Sequence, residues 1–212
     1  MQRKTLYQID IPGKKMIHEE LYLKATTAIK EVHGADSVQH MENGMAFPSE
    51  ILYGQRMLAL LEEVYPESSF AFKLAVQCQH LKRWGIPRTD YPFDRRGYHE
   101  WRRVVMEYQL AETRTVLSAV PVEEEDLLWI LDALKNQGNK ANGNAQIITD
   151  TACLVFMKWY MVPFAAKHES EKVVDILKKT MRKMSEKGIH WVSKLGLSSE
   201  VMQMVALASH KA

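Results

Sequence analysis

The stretch IITDTACLVFMKWYMVPF, residues 147–164, is the most apolar segment of the chain and decides its fold class. The segment is longer than an ordinary strand. It contains one acid, Asp150, and one base, Lys158. Such a segment is typical of a helix in a protein core. The polar sequence GNKANG, residues 138–143, precedes it as a loop, and a lysine-rich amphipathic helix is predicted over 171–184.

The remainder of the chain repeats the helical pattern. Apolar residues recur three and four positions apart, which is the period of an amphipathic helix. The predicted helices cover residues 16–33, 48–65, 70–84, 98–119, a segment from Pro121, and two short C-terminal segments. Residues 34–47 are predicted to form turns, and no window shows the two-residue alternation of a strand. We therefore expect residues 1–212 to form a single compact all-α domain.

Composition and charge restrict the kinds of binding partner that the sequence predicts. The chain of 212 residues is 46% hydrophobic and 25% charged, as in ordinary soluble globular proteins. Its net charge of +2 is too small to predict binding to nucleic acid or to a membrane. The N-terminal sequence shows no signal-peptide pattern. Cys78 and Cys153 lie in apolar helical patterns, which predicts buried free thiols and a reducing, cytoplasmic location.

One polar segment carries most of the candidate binding residues. The sequence KRWGIPRTDYPFDRRGYHEWRR, residues 82–103, contains seven Lys or Arg and three Asp or Glu, interleaved with aromatic residues. Arginine donates in a planar fork that suits phosphate and carboxylate, and an aromatic face stacks on a base or a guanidinium group. Candidate ligand-binding residues are Arg83, Trp84, Arg88, Arg95, Tyr98, Trp101 and Arg102. A purely structural alternative is that these residues pin the loop to the surface, through pairs of the arginines with Asp90, Asp94 or Glu100 and through arginine–aromatic stacking.

The candidate catalytic residues are His80 and Asp150. His80 ends an apolar helical pattern, and Asp150 is isolated in the apolar helix predicted from Ile147. They are candidates for a general base or for weak metal ligands. Alternatively, Asp150 lies in the first turn of its helix and complements the helix dipole. The chain contains no GxSxG, P-loop, GxGxxG or HExxH motif.

Several strings resemble a bacterial and fungal family of domains of unknown function. They are PSE (48–50), LY (52–53), RM (56–57), QHLKRWGIPRTDYPFDRRGYHEWR (79–102), ACLVF (152–156) and KTMRKMS (179–185). The resemblance covers about residues 45–186 and implies no established activity. Some fungal members are labelled glutamyl-tRNA synthetase, but this chain resembles no synthetase in length or motif.

The order of the predicted helices is also similar to that of HD-domain phosphohydrolases, which are all-helical and metal-dependent. The resemblance places Tyr53, followed by Arg56, at the first metal-binding histidine of that family. It places Gln79 and His80 at the His-Asp pair and Asp150 at the later aspartate. Because only Asp150 keeps the residue type, the resemblance implies a degenerate site. A single divalent metal on His80 and Asp150, with His33 or His99, is one possibility that it leaves open.

Three functional hypotheses follow. The first is a phosphohydrolase acting on a phosphorylated metabolite or nucleotide, with His80 and Asp150 in the reaction. The second is a non-catalytic module that binds an anionic small molecule through the same residues, including Tyr53, Arg56 and Gln79. The third is an RNA- or protein-interaction surface, which the small net charge disfavours.

Overall fold

A computed structural model describes the backbone of residues 12–210 and the side chains of residues 19–209. Within this range nearly all regular structure is helical, which confirms the prediction of an all-α domain. The helices are α1 (Pro12–Gly34), α2 (Ser49–Val64), α3 (Phe70–Cys78), α4 (Arg95–Ser118), α5 (Glu124–Lys135), α6 (Gly143–Val155), α7 (Met161–Ala165), α8 (Ser170–Lys183), α9 (Glu186–Val192) and α10 (Ser199–His210). A two-stranded hairpin joins α1 to α2.

The hairpin corrects the prediction that residues 34–47 form only turns. Strand β1 (Gln39–Glu42) pairs antiparallel with β2 (Met45–Pro48). Asn43 and Gly44 both have positive φ, +51° and +78°, which suits a tight two-residue hairpin turn. The strands are four residues long and have no fully buried residue, so their sequences lack the alternation that marks a half-buried strand.

The start of α6 corrects the interpretation of Asp150 as a first-turn residue. The helix begins at Gly143, four residues before the predicted Ile147, because the Asn142 side chain accepts a hydrogen bond from the backbone N–H of Ala145 at 3.0 Å. Asp150 therefore lies in the interior of the helix, away from its N-terminal dipole.

The polar segment is more regular than the sequence predicts. Helix α3 ends at Cys78, and Lys82 adopts a left-handed conformation with φ +51°. Two short 3₁₀ turns follow, Arg83–Gly85 and Arg88–Asp90. Helix α4 begins at Arg95, three residues before the predicted Tyr98, because the Asp94 carboxylate accepts from the backbone N–H of Gly97 at 2.7 Å.

The core lies between α2, α3, α5 and α6, which contact one another. Its fully buried side chains include Leu61 of α2, Leu74 of α3, Ile130 of α5 and Leu154 of α6. Burial of such a side chain contributes about 1.5–3 kcal/mol, so this cluster supplies much of the driving force for folding.

The apolar stretch continues as one helical segment over Gly143–Ala165, with a π-helical turn at Phe156–Tyr160. Within the described residues it is the one helix long and apolar enough to cross a membrane by length and composition, with a mean hydropathy of 1.2. The core helix of a soluble protein passes the same test, and α6 packs against α2 and α5.

Both cysteines are buried free thiols, as predicted. Burial raises the pKa of Cys78 and of Cys153 to about 12. Because the thiolate is the reactive form, we expect neither thiol to react with Ellman's reagent at neutral pH while the domain is folded. Both should react after unfolding in guanidinium chloride. Rapid labelling of the native protein at either cysteine would contradict this packing.

Candidate functional site

A small cavity lies where the end of α3 meets α4 and α5. Its volume is about 40 Å³, which is room for roughly three water molecules. Val105 of α4 and Leu134 of α5 contribute to its apolar wall. Its polar lining consists of Gln79, His80, Arg83, Arg102, Gln109 and Gln137. Two cations, one imidazole and three amides therefore line the cavity, with Arg102 exposed to solvent and the other five partly buried.

The two guanidinium groups of the cavity have no hydrogen-bond partner in the described part of the chain. Arg83 is held instead by Trp101, with its guanidinium carbon 4.7 Å from the ring centroid. The indole of Trp101 is fixed because its Nε1–H donates to the carbonyl of Ile86 at 2.9 Å. Burial lowers the pKa of Arg83. The negative charge of Glu50 opposes this shift, and the positive charge of Arg102 adds to it. Two neighbouring positive charges whose N–H donors have no acceptor favour the binding of an anion between them.

His80 is paired with a buried carboxylate. Its Nδ1 lies 3.2 Å from Oε2 of Glu50, and the side chains are 24% and 13% exposed. The ring of Tyr53 stacks on the imidazole with a centroid distance of 4.0 Å. Burial lowers the pKa of His80, and the charges of Arg83 and Arg102 lower it further, although Glu50 opposes the shift. The imidazole is therefore neutral at neutral pH.

Glu50 is ionised beside it. Burial alone would raise the pKa of Glu50, but its interaction with the His80 imidazole, the charge of Arg83 and the proximity of His33 outweigh burial and lower it. Its backbone N–H donates to Oδ2 of Asp36 at 3.2 Å, which fixes the start of α2. The cavity thus has an anionic residue behind the imidazole.

A chain of amides fixes another side of the cavity. The Tyr53 hydroxyl donates to Oε1 of Gln79, and Nε2 of Gln79 donates to Oε1 of Gln137 at 2.6 Å. Nε2 of Gln137 donates to the carbonyl of Leu134 at 3.1 Å. Nε2 of Gln109, by contrast, is buried and has no hydrogen-bond partner among residues 19–209. An unpaired buried donor is costly, and an acceptor in the cavity would satisfy it.

Asp150 lies away from the cavity, where its side chain is fully buried. It is the centre of a hydrogen-bonded cluster with Tyr65, Gln146 and Ser185, which we call the Asp150 joint. Its carboxylate accepts from the hydroxyl of Tyr65 at 2.6 Å, from Nε2 of Gln146 at 2.8 Å and from the backbone N–H of Ser185 at 2.8 Å. The hydroxyl of Ser185 donates to it as well. A Cβ added at Gly188 would lie 2.7 Å from the carboxylate carbon, so glycine allows α9 to approach. The joint connects α2, α6 and α9.

His80 and Asp150 lie near opposite ends of α2. His80 contacts Tyr53 in the first half of that helix, whereas Asp150 contacts Tyr65 at its C-terminal end. The separation of twelve residues corresponds to about 18 Å along the helix at 1.5 Å per residue. Since a metal ion needs its ligands within roughly 2–2.6 Å, this pair does not form the single-metal site that the resemblance left open.

Comparison with known families identifies the relationship of the chain. Residues 23–205 match the family described as a domain of unknown function, DUF4202. The chain belongs to this family. No curated protein and no solved structure matches the chain. The DUF4202 match extends beyond the residues 45–186 that carry the resemblance, and it includes both the cavity and the Asp150 joint. The similarity to HD-domain phosphohydrolases stays a prediction.

Four of the predicted site residues meet in the cavity of the DUF4202 domain, namely Gln79, His80, Arg83 and Arg102. Tyr53 contacts two of them, Gln79 and His80. This group contains both the candidate base, His80, and the two unpaired cations, so it defines the candidate site.

The remaining predicted arginines lie outside the lining of the cavity. Arg56 donates to Oε1 of Glu42 at 3.0 Å and lies over the rings of Trp159 and Tyr160, which ties α2 to the hairpin. Arg88 donates to the carbonyls of Tyr91 and Pro92 and holds the turn that precedes α4. Arg95 is exposed at the start of α4.

The predicted aromatic residues do not line the cavity. Trp101 is 7% exposed and contacts Arg83 and Arg88, so its ring is occupied by protein. Trp84 is half-buried beside His33, and Tyr98 is 45% exposed. Stacking of a ligand ring on Trp101, which the sequence left open, has no support from this arrangement.

The structural alternative agrees with the contacts in part. Arg83 and Arg88 stack on Trp101, whereas the expected pairs with Asp90, Asp94 or Glu100 are not among the contacts of the described residues. Within residues 82–103 the ion pairs are Lys82 with Glu112 at 2.7 Å and Arg103 with Glu107 at 3.0 Å. Asp94 serves as the cap of α4. The arginines of the cavity therefore keep their hydrogen-bonding capacity.

The described residues do not bring three candidate metal ligands together. Among residues 19–209 no group of three His, Cys, Asp or Glu side chains is placed to hold a metal ion. His33 is buried with its Nε2 2.9 Å from the carbonyl of Gln77, and His99 is exposed on α4. Neither joins His80 and Asp150 as the resemblance allowed.

Three residues at the candidate site of the DUF4202 domain are not among those predicted from the sequence. Gln109 and Gln137 line the cavity and carry no motif, and Glu50 lies outside its lining, beside His80. A charge count over 82–103 cannot find them because α2, α4 and α5 bring them together from distant parts of the chain.

Proposed function

We propose that this DUF4202 domain binds an anionic small molecule whose phosphate or carboxylate group occupies the cavity. The observation that carries the proposal is that Arg83 and Arg102 share the cavity without a hydrogen-bond partner in the described part of the chain. The unpaired Nε2 of Gln109 adds a third donor. Charge-assisted hydrogen bonds from guanidinium to phosphate or carboxylate are among the strongest in proteins.

The size of the cavity restricts what is recognised. Pockets that enclose a whole drug-sized ligand measure roughly 300–1,000 Å³, whereas this one measures about 40 Å³. It therefore accommodates an anionic head group, with the remainder of the ligand outside. Recognition of a phosphate group accounts for the hydrogen-bond donors of Arg83, Arg102 and Gln109. It does not need a nucleotide base stacked on an aromatic side chain.

The experiment is calorimetric titration with inorganic phosphate. We expect Arg102→Gln to weaken phosphate binding by about 10-fold or more, since a hydrogen bond to a charged group contributes roughly 1.5–3 kcal/mol. The matched control is Arg103→Gln, at the next position of α4. Arg103 is 63% exposed in its side chain and pairs with Glu107 outside the cavity, so its loss should leave the affinity unchanged.

Two results would count against the proposal. One is an unaltered protein that does not bind phosphate at millimolar concentration. The other is an equal loss of affinity in Arg102→Gln and Arg103→Gln, which would indicate diffuse attraction to a basic surface.

A further inference from the structure

We propose that His80 is the general base of a hydrolytic reaction on phosphate monoesters, with Glu50 as its positioning residue. This inference rests on the proposed function, because it requires the phosphate group to lie beside Arg83 and Arg102. It adds a chemical step and a residue, Glu50, that the sequence did not connect with His80.

The geometry assigns different roles to the two nitrogens of His80. Nδ1 lies 3.2 Å from Oε2 of Glu50, within ion-pair distance but without hydrogen-bond geometry, and the proposal places the proton of the neutral ring on Nδ1, beside that carboxylate. Nε2 has no partner in the described part of the chain, and the imidazole lines the cavity. Stacking on Tyr53 fixes the plane of the ring. A base with a carboxylate beside one nitrogen and with the other nitrogen open is suited to general-base catalysis, and the contact with Glu50 would tighten to a hydrogen bond when substrate is bound.

The charge states suit the same role. Burial and the charge of Arg83 keep the pKa of His80 below its ordinary value, so the imidazole is unprotonated and able to accept a proton at neutral pH. Glu50 is ionised and stabilises the imidazolium once that proton arrives.

The step balances without a further reactant. Nε2 of His80 takes a proton from water, and the water oxygen forms a bond to phosphorus. The bond from phosphorus to the ester oxygen on the opposite side breaks, the leaving alkoxide takes a proton from solvent water, and Nε2 returns its proton to the solvent. The products are the alcohol and inorganic phosphate, and His80 returns to its neutral form. Arg83 and Arg102 stabilise the charge on the phosphoryl oxygens during the step.

No other side chain of the cavity is suited to be the nucleophile. Cys78 also lines it, but burial raises the pKa of that thiol to about 12. The amides of Gln79, Gln109 and Gln137 are not nucleophilic. Water is therefore the attacking group.

The first test is hydrolysis of p-nitrophenyl phosphate by the full chain and by His80→Gln. We expect kcat/KM to fall by about 100-fold or more in His80→Gln, which is the usual contribution of a general base. Phosphate binding, measured separately by calorimetry, should change by only a few-fold. His190→Gln, at an exposed position of α9, is the matched control and should retain full activity.

The second test is the pH profile of Glu50→Gln. The charged groups around His80 are Glu50 from α2, Arg83 from the turn after α3, and Arg102 from α4. The rate should fall as the pH falls through the pKa of His80. Removing the negative charge of Glu50 lowers that pKa further, so the acid limb should move to lower pH while kcat decreases. A residue needed only for stability would lower activity without moving the limb.

The outcomes separate the two proposals. Phosphate binding without hydrolysis of p-nitrophenyl phosphate overturns the catalytic inference and leaves the proposed function intact. Absence of phosphate binding overturns both. Full activity in His80→Gln, or an unmoved acid limb in Glu50→Gln, overturns the assigned roles. If either variant does not fold, ¹⁵N NMR of the His80 ring in the unaltered protein tests the assigned roles instead. The inference requires a neutral ring protonated on Nδ1, and a ring protonated on Nε2 at neutral pH overturns it.

Discussion

Asp150→Ala should lower the free energy of unfolding by about 4 kcal/mol, because it leaves several buried donors without an acceptor. The carboxylate accepts from Tyr65, Gln146 and both the backbone and the hydroxyl of Ser185. For a domain of this size, 1 kcal/mol corresponds to roughly 2–4 °C, so Tm should fall by about 8–16 °C. Urea unfolding followed by circular dichroism measures the change.

The matched control is Asp175→Ala on α8. Asp175 is exposed and pairs with Lys179 one turn away, so its loss should change the free energy of unfolding by less than about 0.5 kcal/mol. A fully stable Asp150→Ala protein would contradict the assignment of Asp150 to a structural joint. Such a result would restore the catalytic hypothesis for this residue.

Gly97→Ala should lower the free energy of unfolding by about 3 kcal/mol, at the upper end of what overpacking usually costs. A Cβ at this position would lie 2.3 Å from the carbonyl oxygen of Pro92, which is backbone and cannot rotate away. That carbonyl also accepts from Nη2 of Arg88 at 2.6 Å. The turn before α4 must therefore shift, which disturbs the stacking of Arg88 and Arg83 on Trp101. Thermal unfolding monitors the loss, and phosphate affinity should fall with it.

Gly143→Ala is the control for Gly97→Ala. Gly143 begins α6, and a Cβ added there meets no heavy atom within 4 Å. Because alanine is the better helix former, this change should be neutral or slightly stabilising. Equal stability of Gly97→Ala and the unaltered protein would mean that the turn does not pack on α4 as described.

The helices could be predicted from the sequence because their signals are local. Apolar spacing identified the core helices, and residues such as Asp94 and Asn142 are caps that act within three positions of themselves. The hairpin was missed although Asn43-Gly44 is a strong hairpin signal, because its exposed strands have no alternating pattern.

The candidate site was only partly predictable. The excess of arginine over 82–103 drew attention to Arg83 and Arg102, which line the cavity, but it did not distinguish them from Arg88, which holds a turn. Glu50 is thirty residues from His80 in sequence and reaches it only through the packing of α2 against α3. The role of Asp150 likewise depends on Ser185, which tertiary structure alone brings to it.

The most direct test of the anion site is an NMR titration with inorganic phosphate that follows the arginine Nε–Hε and histidine ring resonances. We predict saturable shifts for Arg83, Arg102 and His80, with no shift for Arg56, which is paired with Glu42, or for Arg103. Shifts spread over the exposed arginines, with those of Arg83 and Arg102 unchanged, would contradict the account.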